Sequence, residues 1–319
     1  MSVVADISPV RWSGRTDGLG PEHQRWHHAV DTDSLAPGPH TAAFVGFRSD
    51  EGVRRNQGRP GAAAGPAALR TALSSLALPA QMRALDIGDV AVYGDKLEDA
   101  QRRLGTLVGD LIDRRLTVAV LGGGHEVAYG SYQGIARSTL LSQGARLGVL
   151  NLDAHFDLRT APCPSSGTPF LQMAQNEAAA GRALNYWVLG ISQPSNTQTL
   201  FDTADSLGVR HLPDTACQGD SGDTVDEFVA AYLDSCDVSY LTIDLDVLSA
   251  AVAPGVSAPA AFGVPLNVIE RVCVAVAASG KLAVVDVAEL NPKFDIDGRT
   301  ARVGARLLHR ILTILADTS

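Results

Sequence analysis

The segment Asn151-Leu152-Asp153-Ala154-His155-Phe156-Asp157 limits what this chain can fold into more than any other stretch. It continues the apolar run 147–150, so it reads as a buried strand carried to its carboxyl end. Side chains alternate along a strand, which predicts Asp153, His155 and Asp157 on one face, each roughly 6–7 Å from the next. The apolar run 240–243 repeats the device by leading into Asp244-Leu245-Asp246. A third run, 117–121, ends in Gly122-Gly123-Gly124-His125-Glu126.

A buried carboxylate without a partner is costly enough that it normally protonates, pairs or binds a cation. Asp153, Asp157, Asp244 and Asp246 carry negative charge that neutral His125 and His155 do not offset. Two divalent ions cancel that charge, whereas one leaves half of it buried. The expectation is therefore a two-metal site with ions about 3.5–4 Å apart. Aspartate and histidine without thiolate suit Mn²⁺, although Zn²⁺ often binds such donors more tightly. Two Mn²⁺ per chain are expected.

Several residues allow two readings. Residues 122–125 could alone be a glycine-rich turn cradling a phosphate, although GxGxxG and the P-loop Lys-Ser/Thr are missing. Glu289 follows the buried run 284–288 and is either a strand-end carboxylate or an anion facing a cationic substrate. Arg159 is either a surface arginine or a bidentate receiver of a substrate carboxylate. Arg54, Arg55 and Arg59 form a basic cluster that reads equally well as a solvated loop. Cys163 has no base placed for it, and His23, His27 and His28 lack partnering acids.

Runs of strand character alternate with helical periodicity along the chain. Strands are expected at 42–47, 84–92, 117–121, 147–157, 185–189, 209–212, 240–246 and 282–287. Helices are expected from Gly65-Pro66 onward and at 97–115, 126–138, 170–181, 196–207, 223–235, 265–278 and 304–316. About eight strands alternating with helices indicate an α/β fold, a mostly parallel sheet flanked by helices on both faces. Sites in such folds lie beyond the carboxyl ends of the strands, where the acidic motifs fall. Residues 1–40 read as a polar arm, and no linker divides the chain, so 1–319 is expected to form a single catalytic domain.

With 45% hydrophobic and 19% charged residues, the composition suits a large buried core. A net charge of −9 argues against a nucleic-acid or anionic-membrane surface. No run approaches the length of a membrane span, and residues 1–10 lack a signal-peptide pattern. Four cysteines without CxxC spacing make no disulfide framework, so a cytoplasmic setting is expected.

The motifs Gly-Gly-Gly-His125-Glu, Asn-Leu-Asp153-Ala-His155-Phe-Asp157, Asp244-Leu-Asp246 and Glu289-Leu-Asn-Pro resemble the ureohydrolase superfamily of arginase and agmatinase. Residues 58–61, Gly65-Pro66 and Leu69-Arg70 extend the likeness upstream. Within that superfamily several stretches are similar to the formimidoylglutamase family. They are Trp12-x-Gly14-Arg15-x-Asp17, residues 46–56, residues 165–170 and Asp297-Gly298-Arg299. The resemblance implies an arginase-like three-layer α/β sandwich and a binuclear manganese centre. His125 and Asp157 would hold one ion, His155 and Asp246 the other, with Asp153 and Asp244 between them. It also implies a homo-oligomer and a small-molecule substrate.

The implied reaction is hydrolysis of N-formimidoyl-L-glutamate to L-glutamate and formamide, a step of histidine degradation. Water activated between the metals attacks, Glu289 attracts the amidinium charge and Asp157 moves the proton. Arg159, helped by Arg55 or Asn56, fixes the carboxylates. Arginases carry a histidine near position 170, and none occurs here between His155 and His211, which argues against arginase activity. The rivals are another ureohydrolase (an agmatinase or guanidino-acid hydrolase) and a non-catalytic metal-binding protein of the same fold.

Overall fold

The computed structural model describes residues 5–33, 40–78, 82–219 and 222–318. Nine strands among these residues form one sheet in the order β1-β3-β2-β4-β9-β8-β5-β6-β7, and every ladder is parallel. They are β1 (Val30–Asp31), β2 (Ala42–Arg48), β3 (Ala84–Ala91), β4 (Thr117–Leu121) and β5 (Leu147–Leu152). The rest are β6 (Tyr186–Ile191), β7 (Arg210–Pro213), β8 (Val238–Asp244) and β9 (Leu282–Ala288). Where about eight strands were expected there are nine. The extra one, β1, is a two-residue edge strand inside the arm, with no apolar alternation to announce it.

The helices are α1 (Trp26–Ala29), α2 (Glu51–Arg55), α3 (Gly65–Ser74), α4 (Leu97–Asp113) and α5 (Val127–Arg137). They continue with α6 (Thr139–Ser142), α7 (Pro169–Ala179), α8 (Gln198–Ser206), α9 (Gly222–Asp234), α10 (Leu266–Ala278) and α11 (Arg299–Thr318). Alternation along each strand divides the core in two. Phe44, Leu121, Leu152, Leu241 and Val287 pack toward α3, α9, α10 and α11. Val45, Val120, Val149, Tyr240 and Val284 pack toward α4, α5, α7 and α8. Burial on both faces explains why these strands read as continuous apolar runs.

The part of residues 1–40 that is described lies against this body. Trp12 and Trp26 are buried, and Trp12 Nε1 donates to Asp86 Oδ2 at 2.7 Å. Asp86 and Asp89 also bind Arg70, whose guanidinium donates to both carboxylates. Residues 1–4 and 34–39 of the arm lie outside the described residues.

The connections matter most for the site. The sheet grows outward from β4 through β2 and β3 on one side and from β5 through β6 and β7 on the other. Strands β8 and β9 then fill the middle, making a switch point of the kind where open parallel sheets bind ligands.

Candidate metal centre

Four neighbouring strands, β4, β9, β8 and β5, deliver the acidic and imidazole side chains to one spot. The means differ from strict strand alternation. Strand β5 ends at Leu152 and β8 at Asp244, so Asp153 to Asp157 lie in a loop and Asp246 in a single 3-10 turn, Leu245–Val247. Each leading carboxylate folds the chain back on itself: Asp153 Oδ1 accepts from the His155 N–H at 2.7 Å and Asp244 Oδ1 from the Asp246 N–H at 2.8 Å. Asp157 and Glu289 have φ of +48° and +66°, a region uncommon for residues with a Cβ. Such conformations persist where surrounding contacts impose them, often at working sites.

His125 Nδ1 lies 3.1 Å from Asp153 Oδ2, 3.0 Å from Asp157 Oδ2 and 3.1 Å from Asp244 Oδ2. His155 Nδ1 lies 3.4 Å from Asp153 Oδ1 and 3.2 Å from Asp246 Oδ2. Two sets, His125 with Asp153 and Asp157, and Asp153 with His155 and Asp246, each bring three donor atoms within 4.8 Å of one another. Asp153 belongs to both.

The surroundings fix these groups. His125 Nε2 sits 3.0 Å from Thr242 Oγ1, and the Phe170 ring meets the imidazole edge-on. With Nε2 engaged in this way, Nδ1 is the nitrogen aimed at the carboxylates. Asn151 Nδ2 donates to Asp153 Oδ2 at 2.9 Å and to the Tyr186 hydroxyl, which in turn donates to the Phe156 carbonyl. Sequence reading passed over Thr242 and Asn151. Each stands two residues before a singled-out aspartate, and that spacing was the available signal.

The electrostatics favour cations. Burial drives both imidazoles toward neutrality, but the facing carboxylates outweigh it and hold His125 and His155 well above their ordinary range. Burial, reinforced by Asp153, raises Asp157, and burial with the Asp244 charge raises Asp246 well above normal. Glu289 is raised by burial, then by Asp244 and Glu126. For Asp153 burial is overcome by its contacts with the two imidazoles, and its pKa is lowered. Without bound cations the cluster can balance its charge only by holding protons on the imidazoles and on Asp157 and Asp246. Asp246 Oδ1 and Glu289 Oε2 are buried with no hydrogen-bond partner, a condition normally too costly to persist. The donors are carboxylate and imidazole without thiolate, so the set fits a pair of divalent cations of the Mn²⁺ class.

Above the cluster opens a cleft of about 320 Å³, lined by His125, Asp157, Asp246 and Glu289 below and by Asn56, Arg59 and Arg159 on its walls. Glu289 Oε1 accepts from the His125 N–H at 2.9 Å, so its unpartnered Oε2 is the free oxygen. Arg159 is exposed and runs over Gly167, where a Cβ would stand 2.7 Å from its Cδ. Asn56 Nδ2 donates to Ser166 Oγ at 3.3 Å.

Arg55, expected beside the substrate, is not among the lining residues. Its guanidinium is taken up by Glu51, Glu98 and the carbonyls of Asp95 and Pro164. Glu51 and Arg55 are one helical turn apart on α2, which rotates Arg55 away from the side that Asn56 presents. Arg59 is likewise engaged, donating to the Val256 and Ser257 carbonyls and covering the Phe294 ring. No helix among the described residues is long and apolar enough to cross a membrane.

Comparison with known proteins agrees with this geometry. The arginase family model matches residues 40–313. A Nocardia farcinica formimidoylglutamase is 61% identical over 95% of this chain and 96% of its own length. A Rhodococcus opacus formimidoylglutamase is 58% identical over 96% of each. Among solved structures, Bacillus subtilis formimidoylglutamase superposes with a TM-score of 0.80 at 21% identity, covering 92% of both chains. Trypanosoma cruzi formiminoglutamase with Mn²⁺ superposes with a TM-score of 0.77 at 23% identity, covering 87% of this chain and 94% of that one. Those two likenesses speak to the fold, and the sequence matches speak to descent: the chain belongs to the arginase family.

Proposed function

We propose that this chain hydrolyses N-formimidoyl-L-glutamate to L-glutamate and formamide, with two Mn²⁺ held by His125, Asp153, His155, Asp157, Asp244 and Asp246. The observation that carries the reading is the shared carboxylate, Asp153, which offers Oδ2 toward His125 and Oδ1 toward His155. Asp157 then completes the His125 half and Asp246 the His155 half, with Asp244 beside His125. Ions bound there would neutralise the carboxylates and lower the pKa of a shared water to near neutrality. Relatives named formimidoylglutamase at 58% and 61% identity support the choice of substrate, and the Trypanosoma cruzi protein with Mn²⁺ supports the choice of metal.

The side chains divide the work. Arg159 receives the glutamate carboxylates on the rim, and Asn56, which meets the same Gly167 backbone, stands beside it. Glu289 Oε2 attracts the positive amidinium, while the His125 N–H holds the other oxygen in place. Asp157 carries the proton from the attacking water to the glutamate nitrogen. Water adds to the formimidoyl carbon, the bond from that carbon to the glutamate nitrogen breaks, and the nitrogen leaves protonated. Arg55 braces the wall instead of touching substrate.

In this reading residues 1–319 act as one cytoplasmic catalytic domain with a clamped arm, working as a homo-oligomer; light scattering of the purified protein tests the last point. The chemistry is tested with Mn²⁺-loaded protein and formimidoylglutamate, from which formamide and glutamate should appear in equal amounts. Ammonia in place of formamide, or urea released from a guanidine, overturns the substrate. No product from any amidine or guanidine favours a metal-binding protein without catalysis.

A further inference from the structure

We infer that Glu126 is a positioning residue: its buried carboxylate ties the substrate-facing wall of the cleft to the turn that carries His125. Glu126 is fully buried, yet it takes no part in the His/Asp cluster. Its Oε1 accepts from Ser49 Oγ at 2.5 Å and from the Gly52 N–H at 2.9 Å. Gly52 is the second residue of α2, and the residue before that helix, Asp50, makes no side-chain capping bond of its own. A helix start normally has such donors satisfied locally; here the acceptor comes from 74 residues away in sequence.

The other oxygen explains two glycines. A Cβ at Gly52 or at Gly124 would collide with the Glu126 carboxylate. The glycine-rich turn before His125 and the Asp-Glu-Gly of the α2 loop are therefore two sides of one seat, with glycine required where the carboxylate lies against the backbone. Between these segments the Gly124 N–H donates to the Ser49 carbonyl at 3.0 Å.

The seat bears on the cleft because α2 is short. It ends at Arg55, and the next four residues, Asn56, Gln57, Gly58 and Arg59, line the cleft. The backbone carries the constraint onward: Asn56 N–H bonds the Gly52 carbonyl and Gly58 N–H bonds the Val53 carbonyl. Fixing Gly52 thus fixes the height of Asn56 above the metal cluster. Arg55 keeps α2 attached to α4 through Glu98, so losing the Glu126 contact should loosen the wall and leave the fold intact.

The kinetic test rests on the proposed substrate, and an independent measurement does not. In Glu126→Ala, KM for formimidoylglutamate should rise about tenfold, the scale of one hydrogen bond to a charged group. kcat should stay within about threefold and the metal content unchanged. Amide hydrogen exchange across residues 50–59, measured without substrate, should accelerate in the same variant. Glu126→Gln keeps an oxygen for Ser49 and Gly52 and should restore both readouts. If Glu126→Ala does not yield folded protein, Ser49→Ala removes one donor and should move KM and exchange in the same direction by a smaller factor. Unchanged exchange at 50–59, or a fall in kcat and metal content with KM unmoved, overturns the inference. Slow exchange restored by Glu126→Gln in a protein inactive on formimidoylglutamate would uphold the seat and reject the substrate instead.

Discussion

Stripping the divalent ions should reverse the pH dependence of this protein's stability. In the metal-free fold, Asp157, Asp246 and Glu289 have raised pKa values because they are buried beside other carboxylates. His125 and His155 are raised as well, burial being outweighed by the carboxylates they face. A group whose folded-state pKa exceeds its unfolded value binds its proton more readily in the folded chain. Its contribution is complete below the unfolded pKa and is lost as pH rises through the folded one. All five shifts have this sign. Within the cluster only Asp153 is lowered, and its effect falls below the ordinary carboxylate range; outside it burial lowers His211 and His309, which oppose the trend only as pH falls through the ordinary imidazole range.

Acidification from about pH 8 to about pH 6 should therefore stabilise the stripped protein, at about 1.4 kcal/mol per pH unit for each extra proton held by the folded state. The five groups share one cluster and cannot titrate independently, so a net uptake of about one to two protons is the reasonable scale. An unfolding entropy of about 2.1 cal/mol/K per residue over 319 residues converts this to a Tm increase of about 2–4 °C per pH unit. The loaded protein should show the opposite slope, since protons compete with the ions for the same atoms. Thermal melts with and without chelator, at three pH values, decide the matter. A stripped protein whose Tm is flat or falls on acidification would show that these carboxylates do not repel one another, and the case for a two-cation centre would lose its basis.

Three further outcomes follow from the geometry. Asp246→Asn should reduce bound metal from two ions to one and turnover by about a thousandfold, the scale of several kcal/mol of lost transition-state stabilisation; elemental analysis and product release check both. Arg159→Ala should raise KM for formimidoylglutamate by about ten- to a hundredfold while metal content stays constant, with lysine at the position restoring only part of the loss. Asp86→Ala removes the acceptor shared by Trp12 and the nearly buried Arg70 and should cost about 3–5 kcal/mol of stability, read from urea unfolding.

The buried parallel strands were legible because a strand covered on both faces leaves an uninterrupted apolar run, as at 117–121 and 282–287. Strand β1 was not, since two residues at a sheet edge carry no period. The cluster was legible for a reason partly different from the one argued. Asp153 and His155, like Asp244 and Asp246, are two apart as strand neighbours would be, but the chain has left the strand. The spacing reflects a carboxylate bonding the backbone N–H two residues on. Arg55, expected as a helper of Arg159, is instead engaged by Glu51 and Glu98. The pairs Glu51–Arg54 and Glu51–Arg55, three and four apart, already indicated a helical turn that turns the guanidinium elsewhere. Glu126 was read as part of the motif but given no role, because its partners lie in a segment whose approach only the fold reveals.

The insertion of β8 and β9 between β4 and β5 also sets a timetable for biogenesis. His125 and Asp153 leave the ribosome early, on two strands that follow one another in the chain, yet they must not pair as neighbours. A gap two strands wide has to stay open until residues 238–288 have been synthesised, and closing such long loops is slow. A nascent chain that stops short of β8 has four of the six donors and no floor between them, so ion capture waits until Asp244 and Asp246 have been made and β8 and β9 have closed the sheet. Premature zipping of β4 onto β5 is a misfolding route that this topology opens.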